Sequence, residues 1–173
     1  MRETPDMKKL LLFLVLYSCN AVTAQIKMEL SPSGFNSVEG MMPNAPLVNL
    51  IETAKGWAYN YNKKSVDVYD ITANSLKIDG VKENGFYYLN RGQKYVFKIK
   101  YTLAVLFGEK TYKVTFTINE ILGKDDKPQQ STLADYFTSE GKIKEDYTEM
   151  RPSLEYTASQ IVGNFMEKIA RSN

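Results

Sequence analysis

The sequence contains no histidine and only one cysteine, Cys19. Cys19 lies in a segment built for removal, so the mature chain is expected to carry neither thiol nor imidazole. That excludes disulfides, cysteine nucleophiles, histidine general bases and the usual zinc or copper ligand sets. Long hydrophobic runs are missing too. No stretch of the mature chain approaches the roughly 20 apolar residues that a membrane-crossing helix needs. An excess of one charge is also absent, because 22 basic and 20 acidic residues give a formal net charge of +2. Losing Arg2, Lys8 and Lys9 together with Glu3 and Asp6 lowers it to +1, which implies no bulk attraction to nucleic acid or an anionic membrane. Internal repeats, phosphate-cradling glycine loops, nucleophile elbows and dinucleotide fingerprints do not occur.

What the chain does have, at its start, is an export signal. Lys8 and Lys9 precede the apolar run Leu10 to Tyr17, which is too short for a bilayer, and Val22 and Ala24 occupy the −3 and −1 positions of a signal-peptidase site. Residues 1–24 are read as a signal peptide, with Gln25 as the mature start. Glu3 and Asp6 ahead of the basic pair point to Met7 as the translation start. An alternative takes Leu16-Tyr17-Ser18-Cys19 as a lipobox, which leaves Cys19 lipidated and the protein anchored, although bulky Tyr17 is unusual in that motif. N-terminal mass spectrometry separates the two. Both place the protein outside the cytoplasm, in the periplasm, the extracellular space or the cell envelope. Removing 24 of 173 residues leaves about 149, enough for one domain to bury its own core.

Residues 25–44 read as a short strand, Ile26 to Leu30, and a linker rich in Ser, Gly and Pro. A single α+β domain is expected over 45–173. Asn44 is placed as the N-cap of a first helix, with Pro46 in its first turn, and Leu47, Leu50, Ile51, Ala54, Trp57, Ala58 and Tyr61 at helical spacing. Period two then takes over. Val66 to Ile71 and Leu76 to Val81 read as strands, and Phe86 to Leu89 is a short apolar run before the turn Asn90-Arg91-Gly92. Tyr95 to Phe107 and Tyr112 to Ile118 alternate apolar with Lys and Thr across Gly108-Glu109-Lys110, predicting an antiparallel hairpin with one buried and one wet face. A polar loop covers 123–151. Pro152 opens a closing helix, flanked by Arg151 or Ser153, whose stripe runs Leu154, Ala158, Ile161, Val162, Phe165, Met166 and Ile169. The expected fold is two-layer α+β, with one antiparallel sheet of about four to five strands and two helices on one face, in the order β-α-β-β-β-β-α.

The run Asn49-Leu50-Ile51-Glu52-Thr53-Ala54-Lys55-Gly56-Trp57 resembles the helix signature of an exported bacterial family, domain of unknown function 4468, though Ile51 stands where that family usually has Tyr. Leu76 to Gly80, Tyr95 to Phe107 and Tyr112 to Ile121 are similar in order and spacing. The resemblance implies a fold like that of the TATA-binding protein and an export habit. It brings no activity with it.

Candidate sites compete with plain structural roles. Trp57 and Tyr61 could line a ligand groove between helix and sheet, yet Trp57 falls on the buried stripe. Lys98, Lys100 and Lys113 share the wet face of the hairpin and could receive an acidic partner; a solvated face that discourages edge pairing needs the same residues. DNA binding is rejected, because a saddle that kinks DNA needs apolar wedges where this face has Lys and Thr. Ser139 and Lys142 have the spacing of a Ser-Lys hydrolase pair, but Gly141 lies between them. Asp67, Asp70, Asp79, Asp125, Asp126, Glu145 and Asp146 are the carboxylates from which a hydrolytic pair would be drawn. Asp125-Asp126 lacks the pattern of a calcium loop, and no cofactor is implied. The sequence supports best a non-catalytic binding or interaction domain whose partner is an envelope protein or small ligand. The alternatives are a carboxylate-dependent hydrolase acting on envelope material and a structural subunit of an envelope assembly.

Overall fold

The computed structural model describes residues 26–63 and 66–172. The expected leader, with Cys19 and the junction at Gln25, lies outside the described residues. In chain order come β1 (Leu30–Ser31), β2 (Gly34–Phe35), β3 (Val38–Met41), α1 (Leu47–Asn62), β4 (Asp67–Tyr69), β5 (Ser75–Asn90), β6 (Gln93–Phe107), β7 (Thr111–Leu122), two short 3-10 turns (Leu133–Tyr136 and Glu145–Tyr147) and α2 (Met150–Ala170). β1 and β2 form a small hairpin, and the other strands make one antiparallel sheet in the order β3-β7-β6-β5-β4. This is the expected two-layer α+β architecture.

Strict alternation dictates the two faces. Phe97, Ile99, Tyr101, Leu103, Val105 and Phe107 of β6 are all buried, as are Tyr112, Val114 and Phe116 of β7. Both helices cover that face. α1 contributes Leu50, Ile51, Ala54, Trp57 and Ala58, and α2 contributes Leu154, Ala158, Ile161, Val162, Phe165 and Ile169. One long hairpin carries the sheet because Arg91 and Gly92, with φ of 48° and 78°, form a tight two-residue turn of the kind that matches strand twist. The run Phe86 to Leu89 is therefore no separate strand. It continues β5 past an irregularity between Lys82 and Phe86.

A second irregularity sits in β7, where Lys100 pairs with Glu120 and Tyr101 with Ile118, leaving Asn119 as an extra residue. It changes the phase of the strand, so that Ile118 and Ile121, three apart, both turn toward the core.

The sequence reading needs correction at three places. Helix α1 starts after Pro46, which has a ψ of 141° and stands as its N-cap, rather than at Asn44. A residue before proline is pushed out of the helical region, so Ala45 cannot continue a helix begun at Asn44. The supposed linker carries β2 and β3, and β3 pairs with β7 as the sheet's edge. Gly40 hid it. A Cβ at Gly40 would come within 2.5 Å of the Tyr112 ring, so a residue poor in strand propensity is the one that fits. Finally, Ile26 to Glu29 does not join the sheet. Met28 N donates to Ser159 Oγ at 2.9 Å, Leu30 N to Glu155 Oε1 at 2.9 Å, and Arg151 Nη2 donates to Leu30 O at 2.7 Å. Three side chains one helical turn apart on α2 thus satisfy an extended strap, and Met28 and Leu30 point into the core.

The polar segment 123–149 is tied down as well. Leu89 N donates to Thr148 O, Gln129 N to Ile121 O and Lys144 N to Tyr136 O, at 2.8 to 3.0 Å, while Tyr136 and Phe137 enter the core.

Candidate functional site

Trp57 is 4% exposed and lies between the helices. Its Nε1 donates to Asn164 Oδ1 at 2.8 Å, its ring stacks on Tyr61 at 4.9 Å, and Phe165 meets it edge-on at 5.1 Å. Asn164 and Phe165 thus occupy the indole's surroundings. Tyr61 is half-buried, with Lys82 Nζ 5.6 Å from its ring centre, and burial pushes its hydroxyl pKa up. The structure brings Trp57 and Tyr61 together as an interhelical wedge.

The three lysines do share the open face, as their alternation requires. Two of them are already paired. Lys98 Nζ lies 2.8 Å from Glu83 and 2.6 Å from Asp126, and those hydrogen bonds raise its pKa. Lys100 Nζ lies 2.5 Å from Glu120. Lys113 is exposed, and among the described residues it forms no ion pair. Neutralisation of this kind removes most of the positive field that a polyanion would need.

The open face carries a second pattern that single-strand periodicity does not reveal. Asn119 Nδ2 donates to Thr102 Oγ1 at 2.7 Å, Thr102 Oγ1 donates to Asp79 Oδ1 at 2.5 Å, and Tyr69 Oη donates to the same oxygen at 3.2 Å. The row crosses β7, β6, β5 and β4. Cross-strand register builds it: Asp79 pairs with Thr102, and Tyr69 stands beside Lys77, two residues along β5 from Asp79. The bulge at Asn119 delivers the fourth member. Only the alternation of Thr and Asp was visible in sequence; the pairing of 79 with 102 needed the register. Beside the row is a depression of about 520 Å3 lined by Asp67, Asp79, Val81, Lys100, Asn119 and Glu120, among others.

Asp67 pairs directly with Asp79 across β4 and β5. The two carboxylates are therefore cross-strand neighbours, and both border the depression. Asp70 pairs with Lys77 at 2.8 Å, and Asp125 with Lys127 at 3.0 Å, which holds the Asp125 carboxyl below its usual range. Glu145 and Asp146 fall in the second 3-10 turn. Ser139 to Lys142 is a turn in which Thr138 N donates to Lys142 O at 2.7 Å, with Gly141 at φ 77°, so the helical spacing of a Ser-Lys pair is not realised. Among the described residues no cluster of three or more His, Cys, Asp or Glu could hold a metal, and no helix is long and apolar enough to cross a membrane.

These features define a two-layer α+β domain whose antiparallel sheet has one face that, among the described residues, no helix covers and that bears a polar row. Two solved structures share the fold. A TBP-like protein from Parabacteroides distasonis aligns with a TM-score of 0.55 at 12% identity, over 80% of this chain and 93% of its own. A DUF4468 family protein from Bacteroides ovatus aligns with a TM-score of 0.53 at 10% identity, over 87% of this chain and 91% of its own. The fold implied by the run Asn49 to Trp57 is thus the fold observed. No family model matches the chain, and no curated protein does. Identities this low speak for fold alone.

Proposed function

We propose that the protein is a non-catalytic binding domain of the bacterial periplasm or cell envelope and that it recognises its partner through the open sheet face centred on Asp79. The observation that carries this reading is the row Asn119, Thr102, Asp79 and Tyr69, held by mutual hydrogen bonds on rigid strands. Such a row presents aligned donors and acceptors without needing to order loops first, which lowers the entropy cost of binding. Pairing of Lys98 and Lys100 with acidic neighbours suits a polar partner of little net charge, whether an envelope protein or a small ligand. The leader expected at residues 1–24 supports the location.

Site-specific photo-crosslinking in intact cells tests it. A crosslinker at Thr117 or Lys113 on the open face should capture one reproducible partner, and the Asp79→Ala/Thr102→Val double variant should lose it. Equal capture from Glu52, on the exposed side of α1, would count against this surface.

A further inference from the structure

The outer edge of β7 is paired along part of its length only. Met42 N donates to Lys110 O at 2.9 Å, and Gly108 N donates to Thr111 O at 2.9 Å across the β6–β7 turn. Together these bonds set the alternation of the strand. Thr111, Lys113, Thr115 and Thr117 turn their backbone groups toward β6, and Tyr112, Val114, Phe116 and Ile118 turn theirs the other way. β3 meets Tyr112 and Val114 through Gly40 and Val38, and there its pairing stops, because the chain before it belongs to the β1–β2 hairpin. Pairing resumes where Gln129 N donates to Ile121 O at 2.8 Å. Between these points Phe116 is buried, with the Phe35 ring edge-on to its own at 5.5 Å. Ile118 is half-buried, and among the described residues its outward N–H and C=O have no hydrogen-bond partner. A groove of about 450 Å3 runs along this gap, lined by Ile118 to Ile121, by Pro32 and Ser33 of the β1–β2 turn, and by residues 129–134. Glu120 is the charged residue of that lining, and it is already paired with Lys100.

Other edges of the sheet are closed or blunted. Tyr87 N donates to Ser153 Oγ, which donates in turn to Tyr87 O, and Leu89 N donates to Thr148 O while Thr148 Oγ1 donates to Leu89 O. The start of α2 thus stands in for a strand beside the far end of β5. The outer edge of β3 is four residues long and carries Glu39, a short and charged edge of the kind that resists pairing. Beside Ile118 there is instead an uncharged groove. We propose that an extended, uncharged peptide segment of a partner protein adds to the sheet there, accepting from Ile118 N and donating to Ile118 O. A residue of an antiparallel strand exchanges both main-chain bonds with the residue opposite, and one residue with its N–H and C=O facing outward together is the complement of that pattern. At about 3.4 Å per residue, the stretch from Thr117 to Glu120 takes about three to four residues of added strand. Main-chain pairing gives the affinity, and the uncharged walls disfavour burial of Lys, Arg, Asp or Glu. Asn119 lines the groove and also ends the polar row, so the added strand would lie beside the open face without depending on it.

Selection of a phage-displayed library of random 12-residue peptides on the mature chain, followed by NMR with the best synthetic peptide, tests the assignment. Enriched peptides should be poor in charged residues. The best of them should shift the amides of Ser33, Ile118, Asn119 and Gln130 in a saturable way and slow exchange of the Ile118 amide. N-methylation of the peptide amide that faces Ile118 should weaken binding about tenfold, the effect of losing one main-chain hydrogen bond in a groove, whereas methylation of the next amide along, which points away, should not. Leu133→Glu, which places a charge in the groove, should also weaken it. The Asp79→Ala/Thr102→Val variant should bind the peptide as the unmodified protein does, so that failure at the open face and failure here are distinguishable. Absence of any enriched peptide whose shifts centre on Ile118 overturns the proposal. So does a peptide that binds there equally well whichever amide is methylated, because its contacts would then be through side chains alone.

Discussion

At the scale of single residues, close approach decides what is tolerated. A Cβ at Gly80 would meet Asn62 Oδ1 at 2.5 Å and the Tyr101 hydroxyl at 2.7 Å, two groups that are themselves hydrogen-bonded at 2.8 Å. Gly80→Ala should therefore cost about 1–3 kcal/mol in denaturant unfolding, the range for overpacking a filled core. Gly56 and Gly163 are the opposite case. Both lie inside helices with nothing within 4 Å of a built Cβ, so Gly56→Ala and Gly163→Ala should each stabilise the protein by roughly 0.5–1 kcal/mol. A destabilised Gly56→Ala would mean that α1 is packed on that side after all. Trp57→Phe keeps an aromatic ring but leaves Asn164 Oδ1 without its indole donor, at a cost of about 1–3 kcal/mol, whereas Trp57→Ala should approach 3–5 kcal/mol. At this scale the sequence was informative about burial, since every alternate apolar residue of β6 from Phe97 to Phe107 turned inward. It was blind to partners. Lys98 and Lys100 read as free cations because Glu83, Asp126 and Glu120 come from elsewhere in the chain.

At the scale of elements, long periodic segments were legible and short or satisfied-from-outside ones were not. α1, α2, β6 and β7 follow from their spacing. β3 is only four residues with a glycine inside, and the strap before β1 finds its partners on a helix rather than a strand. Glu155→Ala leaves Leu30 N without its acceptor and should cost about 1–3 kcal/mol, while Glu155→Gln, which keeps an acceptor, should cost less. Faster exchange of the Leu30 amide in the alanine variant alone is the expected signature; equal rates in both would separate the strap from this contact. Segment 123–149 has its own latch. Hydrogen bonds from Thr132 hold the Asp135 carboxyl below the usual range, so this contribution is present above the ordinary carboxylate pKa and lost as pH falls through the lowered folded value. Protection of the amides across 131–137, taken relative to their intrinsic exchange rates at each pH, should fall below about pH 4. Asp135→Asn should already show that loss of protection at neutral pH.

At the scale of the whole molecule, one aromatic-rich core joins both helices to the sheet. Burial pushes the Tyr112 hydroxyl pKa up to about 12 and raises that of Tyr101 further still. A phenol whose folded pKa exceeds its unfolded value near 10 contributes stability that is intact below about pH 10 and disappears as pH rises toward the folded value. Thermal midpoints should therefore fall steeply between pH 10 and 12. Tyr112→Phe, which removes one of the two groups, should make that fall shallower, and an unchanged slope would assign the alkaline loss to other residues. The global fold was readable because two amphipathic helices and a strongly alternating hairpin leave few ways to bury one face each. The open-face row and the groove beside β7 were not, since each gathers residues whose closeness depends on register, on a bulge or on the return of a long connection.

The strap along α2 also fixes an order of events. Its partners Ser159, Glu155 and Arg151 lie 131, 125 and 121 residues further along the chain. The first residues of the domain must therefore wait, undocked, until the last helix has been made and has arrived. Nothing that stops short of α2 can close the core, and a chain threaded N-terminus first through a narrow channel would have to pass every other element of the domain before it could lock.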